Sequence, residues 1–351
     1  MAGKAMSPAE RVETALSFKE PDRVPFNLPV SLKGAADMGL SLKDYFGSSE
    51  AVFEAQMKAL KLYGHDFATG YFYTASEAEA WGQEVVFYED GPPNAADPII
   101  RSPEDIEELE VPDIRRVPVC TRSLETTRML KAELKDRVPI IGVTISPFSL
   151  PIMQMGFGPY LDLIHARDRR FQLLMDINTR FTTGWANAQL DAGAGMIVYY
   201  DPMSSPTIIP PALYAETGFT IAKSVIPRIK GPTAVHFASG RCLPILEMVT
   251  ETGTGGVGVS ADEDIGEVKR RGGGKLAVMG NLNAIEMRRW DADKAEAAVK
   301  TAIRSAGAGG GFVLTDNHGE IPLQVPHEVL EAIAEAVREW GRYPLSWIDE
   351  S

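Results

Sequence analysis

Two histidines carry the clearest chemical signal in this chain. His236 lies near the end of the apolar run TAVHFA, and His318 near the end of GGGFVLTDNHGEIP. A third run, MIVYYD, ends on Asp201. An imidazole can take or give a proton near neutral pH, or hold a metal ion. Two imidazoles and a carboxylate make an open metal site with room for water or substrate. Asp201, Asp316 and Glu320 are the carboxylates that could complete it. The expected metal ligands are His236, His318 and Glu320, and the expected catalytic groups are His236, His318 and Asp201. Nitrogen and oxygen ligands suit zinc, the expected ion, and also iron, cobalt or manganese. Asp201 has a second reading, as the cap of the turn that follows it.

Other residues at the ends of such runs could touch a small-molecule substrate. Tyr71 and Tyr73 fall at the far end of DFATGYF, where they could floor an apolar pocket. Asn281 and Asn283, in MGNLN, could donate hydrogen bonds. Cys242, just past the His236 run, is either a site thiol or an inert buried one. Asp262 and Asp264 are expected to cap a helix, and KRRGGGK to close it, cations toward its carbonyl end. The remaining histidines, His65, His165 and His327, are expected to be structural or on the surface.

Side chains placed this way need parallel strands that present their carboxyl ends together. Eight runs qualify: 24–30, 66–72, 139–146, 196–201, 233–238, 257–262, 276–283 and 312–318. Several are nearly unbroken apolar stretches, as strands covered on both faces are. Helical patterns fall between them at 49–64, 160–193, 211–231, 243–253 and 292–307, and a last one at 327–341. Ser7, Pro8 and Glu10 form a capping box ahead of an N-terminal helix. This alternation predicts an α/β fold, a single-domain (β/α)8 TIM barrel over residues 1–351. Residues 74–121 break the rhythm and are expected to form an insertion, a hairpin and short helix acting as a lid over the barrel mouth. The glycines at 307–311 lack a following Gly-Lys-Ser/Thr, so they are read as a close passage from helix to strand.

Composition removes several classes of function. The net charge is −13 and no block of Lys and Arg occurs, which argues against a nucleic-acid partner. No run of 18 apolar residues is present, so no membrane partner is expected. MAGKAMSPAERVETAL does not read as a signal peptide, and the cytoplasm is the expected compartment. Two cysteines do not make a disulfide framework.

SPAERVETALSFKEPDRVPF, EAEAWGQEVVFYEDGPP, GNLN and GGGFVLTDNHGEIP, in that order, resemble the uroporphyrinogen decarboxylase superfamily. The likeness spans residues 7–340 and leans toward the corrinoid methyltransferase branch, the methylcobamide:coenzyme M methyltransferase-like proteins. It implies a TIM barrel and one of two activities. The decarboxylases remove acetate carboxyls from uroporphyrinogen without a cofactor. The methyltransferases use zinc to activate a thiol that takes a methyl group from a methylated corrinoid. Their ligands are a His-x-Cys pair and a cysteine in the last strand's loop, where this chain has His236, Ala238 and His318. The resemblance also places Glu79 and Asp201 beside the substrate. The decarboxylases' arginine-rich loop is missing, since no arginine occurs between Phe26 and Phe46. A substrate with eight carboxylates needs fixed cations, for which Arg is the natural partner.

The expected function is therefore a corrinoid-dependent methyltransferase moving a methyl group between a methylcorrinoid protein and a small molecule. The alternatives are a uroporphyrinogen decarboxylase, a carboxy-lyase, and a non-catalytic ligand-binding barrel. No Asp-x-His-x-x-Gly motif occurs, so the corrinoid is expected on a separate partner protein. A homodimer is also envisaged.

Overall fold

Ser7 starts the first helix, Pro8–Leu16, through the expected capping box with Glu10. Val12 and Leu16 on its inner face pack against the residues that fill the barrel, among them Ile141, Val143, Met196 and Val198. The helix thus plugs one end of a barrel of parallel strands. This computed structural model describes residues 5–70 and 73–348.

The strands are β1 (Ala68–Thr69), β2 (Val85–Val86), β3 (Asn94–Ala95), β4 (Ile140–Ile145), β5 (Met196–Tyr200), β6 (Thr233–His236), β7 (Gly256–Gly258), β8 (Ala277–Leu282) and β9 (Phe312–Asp316). Seven of them pair in parallel in the order β1-β4-β5-β6-β7-β8-β9. Residues 24–30 close the ring. Phe26 bridges Leu314 of β9 in parallel, and Asn27 N–H donates to Leu314 O at 2.9 Å. On the other side Asp66 N–H donates to Phe26 O at 2.8 Å, just ahead of β1. Pro25 and Pro29 lack the N–H a full ladder needs, so the expected strand is reduced to a bridge. Alternate residues of β4 and β5 face inward, while Ile197 and Tyr199 face the surrounding helices.

Two departures from the expected elements bear on the site. Helices Ser31–Met38 and Leu42–Phe46 follow the closing segment, where no helix was predicted. The first has no capping side chain next to it; Glu320, far along the chain, accepts from Leu32 N–H at 2.9 Å instead. The pattern at 160–193 splits into Phe157–His165 and Arg169–Ala192, because Asp168 caps the second helix. The basic stretch does close a helix, Ile265–Gly272, with Asp264 as its cap.

Within 74–121, β2 and β3 form an antiparallel hairpin, followed by a 3-10 turn at Pro103–Glu108. Gln324, in the loop after β9, donates to Asp90 O at the hairpin tip. The 3-10 turn instead packs down the outside of the barrel, where Arg170 pairs with Glu104 and Glu107. A third helix the sequence reading lacked, Pro118–Leu134, starts inside this segment.

Candidate active site

β6 ends on His236, a buried residue, and the chain then turns sharply. Ala238 and Ser239 both adopt left-handed backbone, at φ of 46° and 64°. Non-glycine residues seldom do this, at a cost of about 1–3 kcal/mol each, and such strain gathers at functional sites. The turn aims Ala238 N–H at His236 Nδ1, 3.0 Å away. The Tyr200 ring lies over the imidazole at 4.7 Å between centroids. Gly258 of β7 leaves the space on another side: a Cβ there would come within 2.3 Å of His236 Cδ2. Burial, with a smaller push from His318, lowers the His236 pKa to about 3, so the ring is neutral at pH 7.

β9 delivers His318 to the same mouth. Asp316 is buried, and its Oδ2 accepts from the N–H groups of His318 and Gly319, each at 2.7 Å. Burial raises this carboxyl while the two N–H bonds oppose the shift. Asp316 is thus a positioning residue for the exposed His318. His318 Nδ1 meets Ser239 Oγ at 2.9 Å, and Ser239 N–H donates to Asn317 O at 2.9 Å. The two loops are stitched together by these bonds. Gly319 backs onto Tyr200, whose hydroxyl would lie 1.4 Å from any Cβ added there.

The other expected groups divide. Asp201 is brought to the carboxyl end of β5, but its carboxylate is buried and spent on hydroxyls. Ser146, Ser149 and Ser204 donate to it at 2.5, 2.7 and 2.5 Å. Burial raises its pKa against those bonds. It ties together the loops after β4 and β5, and its side chain makes no capping bond to the turn that follows, so the capping reading does not hold either. Asn281 donates to Ser260 O and Glu263 O, at 2.9 and 3.0 Å, and Asn283 Oδ1 caps a turn through Glu286 N–H. Both therefore shape loops, and the amide donors of Asn281 are committed. Tyr73 and Glu79 do come together: the Tyr73 hydroxyl donates to Glu79, which pairs with Arg122 at 3.6 Å. Tyr71 lies outside the described residues.

The zinc expectation can be tested on these donors. A ligating histidine gives one nitrogen's lone pair to the metal and its other N–H to an acceptor. His236 does the reverse, since its Nδ1 accepts an N–H. Glu320 is turned away to the helix at Ser31–Met38, and burial pushes its pKa up to about 8. Among the described residues no three His, Cys, Asp or Glu side chains converge as a metal site would need. Cys242 is buried with its thiol toward Glu263, at 3.5 Å, and its pKa is raised by burial, the inert reading. The set His236, His318 and Glu320 does not fit a resident zinc ion.

Comparison with known proteins decides the family. Residues 7–340 match the family described as uroporphyrinogen decarboxylase (URO-D). The chain belongs to the uroporphyrinogen decarboxylase family. A uroporphyrinogen decarboxylase from Paraburkholderia xenovorans (strain LB400) is 26% identical over 302 residues, 81% of each chain. A solved structure, a methyltransferase from Methanosarcina mazei, superposes with a TM-score of 0.86 at 20% identity, covering 95% of this chain and 99% of that one. A B12-independent methionine synthase from Shewanella sp. W3-18-1 gives a TM-score of 0.54 at 14% identity, covering 83% and 88%. These two likenesses establish the barrel fold.

In this member of the uroporphyrinogen decarboxylase family, the loop between Phe26 and Phe46 carries two lysines and no arginine. Its helix at Ser31–Met38 buries Lys33, whose ammonium donates to Val325 O at 2.7 Å. That cation is consumed inside the protein, and Lys43, the other in the segment, is exposed. Two residues of the mouth are not among the expected site groups: Tyr200 and Ser239. Tyr200 directly precedes Asp201 at a strand end, a signal that could have flagged it. Nothing local marks Ser239, which matters only because its turn folds back on β9.

Proposed function

We propose that this chain is a methyltransferase that moves a methyl group between a methylcorrinoid carried by a partner protein and a small molecule. The observation that carries this reading is the lack of fixed cations in the segment that follows residues 24–30 at the mouth. No arginine lies between Phe26 and Phe46, and Lys33 is tied to backbone carbonyls. Eight carboxylates would enter such a site without their natural partners. The likeness in fold to a methyltransferase supports the same direction.

When its carrier docks, the methylcorrinoid would supply the methyl group, or, in the opposite direction, the demethylated corrinoid would accept it. The chain's own residues then hold and orient the small molecule. His236 is neutral and fixed, and His318 stands exposed beside it on a loop pinned by Asp316. An exposed imidazole can take up the proton that an acceptor sheds on methylation. Without a zinc site, activation of a thiol by metal is not part of this reading.

The test is incubation of the purified protein with methylcobalamin and a panel of hydroxylated and thiol acceptors, alongside a separate incubation with uroporphyrinogen. The reading expects methyl transfer and no coproporphyrinogen. Formation of coproporphyrinogen by this protein would overturn it.

A further inference from the structure

His236 has a defined proton. A neutral imidazole carries one hydrogen on one of its two nitrogens. Nδ1 accepts the Ala238 N–H at 3.0 Å, so its lone pair lies there and the hydrogen belongs to Nε2. A second proton on the ring would have to sit on Nδ1, where the Ala238 N–H already points. Among the described residues, Nε2 makes no hydrogen bond to the protein. The Tyr200 ring and Gly258 hold the imidazole in place, so the donor's direction is set in advance.

The geometry points to His236 Nε2–H as a preorganised hydrogen-bond donor that holds an oxygen atom of the small molecule at the barrel mouth. The ligand class follows: a compound that presents a carbonyl, ether or carboxylate oxygen. A fixed neutral donor costs no reorientation when charge grows on that oxygen. The strained Ala238–Ser239 turn acquires a purpose here, because it brings the N–H that sets the tautomer. This assignment builds on the methyltransferase reading for its place in a reaction, while the tautomer and the oxygen contact are independent of it.

The experiment is nitrogen NMR on protein labelled with 15N-histidine, which shows five imidazoles. His236→Gln identifies the His236 signals by their loss. At neutral pH the wild-type ring should carry its hydrogen on Nε2, and one equivalent of zinc should leave those signals in place. Acetate and acetamide, a charged and a neutral oxygen acceptor, should each shift the Nε2–H resonance. A hydrogen on Nδ1, movement of the His236 signals with zinc, or no response to saturating acetate and acetamide would each overturn the assignment. If these signals behave as expected while methylcobalamin gives no transfer, the reaction reading fails and the donor stands.

Discussion

The two ends of the barrel use charge in opposite ways. At the amino end, Asp66 is fully buried and accepts from Arg11 at 2.6 Å, from Arg23 at 2.7 Å and from Phe26 N–H at 2.9 Å. Asp22 adds a second carboxylate to Arg11 at 2.6 Å. These bonds tie the plugging helix, the closing segment and the start of β1 into one knot. At the carboxyl end, the buried imidazole is neutral, one of its nitrogens has no hydrogen-bond partner among the described residues, and two residues sit in strained backbone. Full pairing serves closure, because leaving a buried charge unpaired is costly. A donor left unspent among the described residues, in strained surroundings, is placed to meet a ligand.

The contrast can be broken from the amino end first. Asp66→Ala leaves Arg23 without its carboxylate and Arg11 with Asp22 alone, and should cost about 3–5 kcal/mol in urea unfolding. A loss below about 1 kcal/mol, the level of a surface pair, would mean the knot is not what closes the barrel.

A pH series sharpens the comparison at the flank of β4. Glu77 is buried there, and its Oε1 accepts from Ile145 N–H at 2.9 Å, where a longer β1 would otherwise pair. Burial pushes its pKa up to about 8, and the Thr144 hydroxyl and Trp185 indole face its other oxygen without closing a full hydrogen bond. The folded state holds this proton more tightly than the unfolded one. Its contribution to stability is therefore complete below the ordinary value of 4.5 and is lost as pH rises through about 8. Urea midpoints should fall between about pH 5 and about pH 9, and fall less in Glu77→Gln. An equal fall in both proteins would remove Glu77 as the cause.

Gly319→Ala tests the mouth itself. Its φ of 96° and the Tyr200 hydroxyl in the Cβ position make the substitution strained, by about 1–3 kcal/mol. Displacement of Tyr200 from His236 should lower activity by more than that stability loss explains. The Glu79–Arg122 pair marks the small end of the scale. Both partners are partly exposed, so Arg122→Gln should change stability by less than about 1 kcal/mol.

Much of the barrel was legible in the sequence because its signals are local. Unbroken apolar runs mark the strands, Ser7 with Glu10 marks a helix start, and reactive side chains mark the mouth. What escaped depends on partners distant along the chain. The helix at Ser31–Met38 is capped by Glu320, which therefore could not serve as a metal ligand. Asp201 stands at a strand end like a site carboxylate, but three serines from two loops occupy it, and nothing near it in sequence reveals all three. The chemistry of His236 turns on which nitrogen faces Ala238 N–H, a detail of backbone direction that residue type does not encode.

The central claim is that the mouth works through a fixed neutral donor on His236 rather than through a bound metal. Methyl transfer from methylcobalamin, measured on protein stripped of metal by a chelator, tests it most directly. The account predicts that the stripped protein stays active and that His236→Leu loses about 10²–10³-fold of its rate, the usual cost of one preorganised donor. Activity that vanishes on stripping and returns with zinc would contradict it.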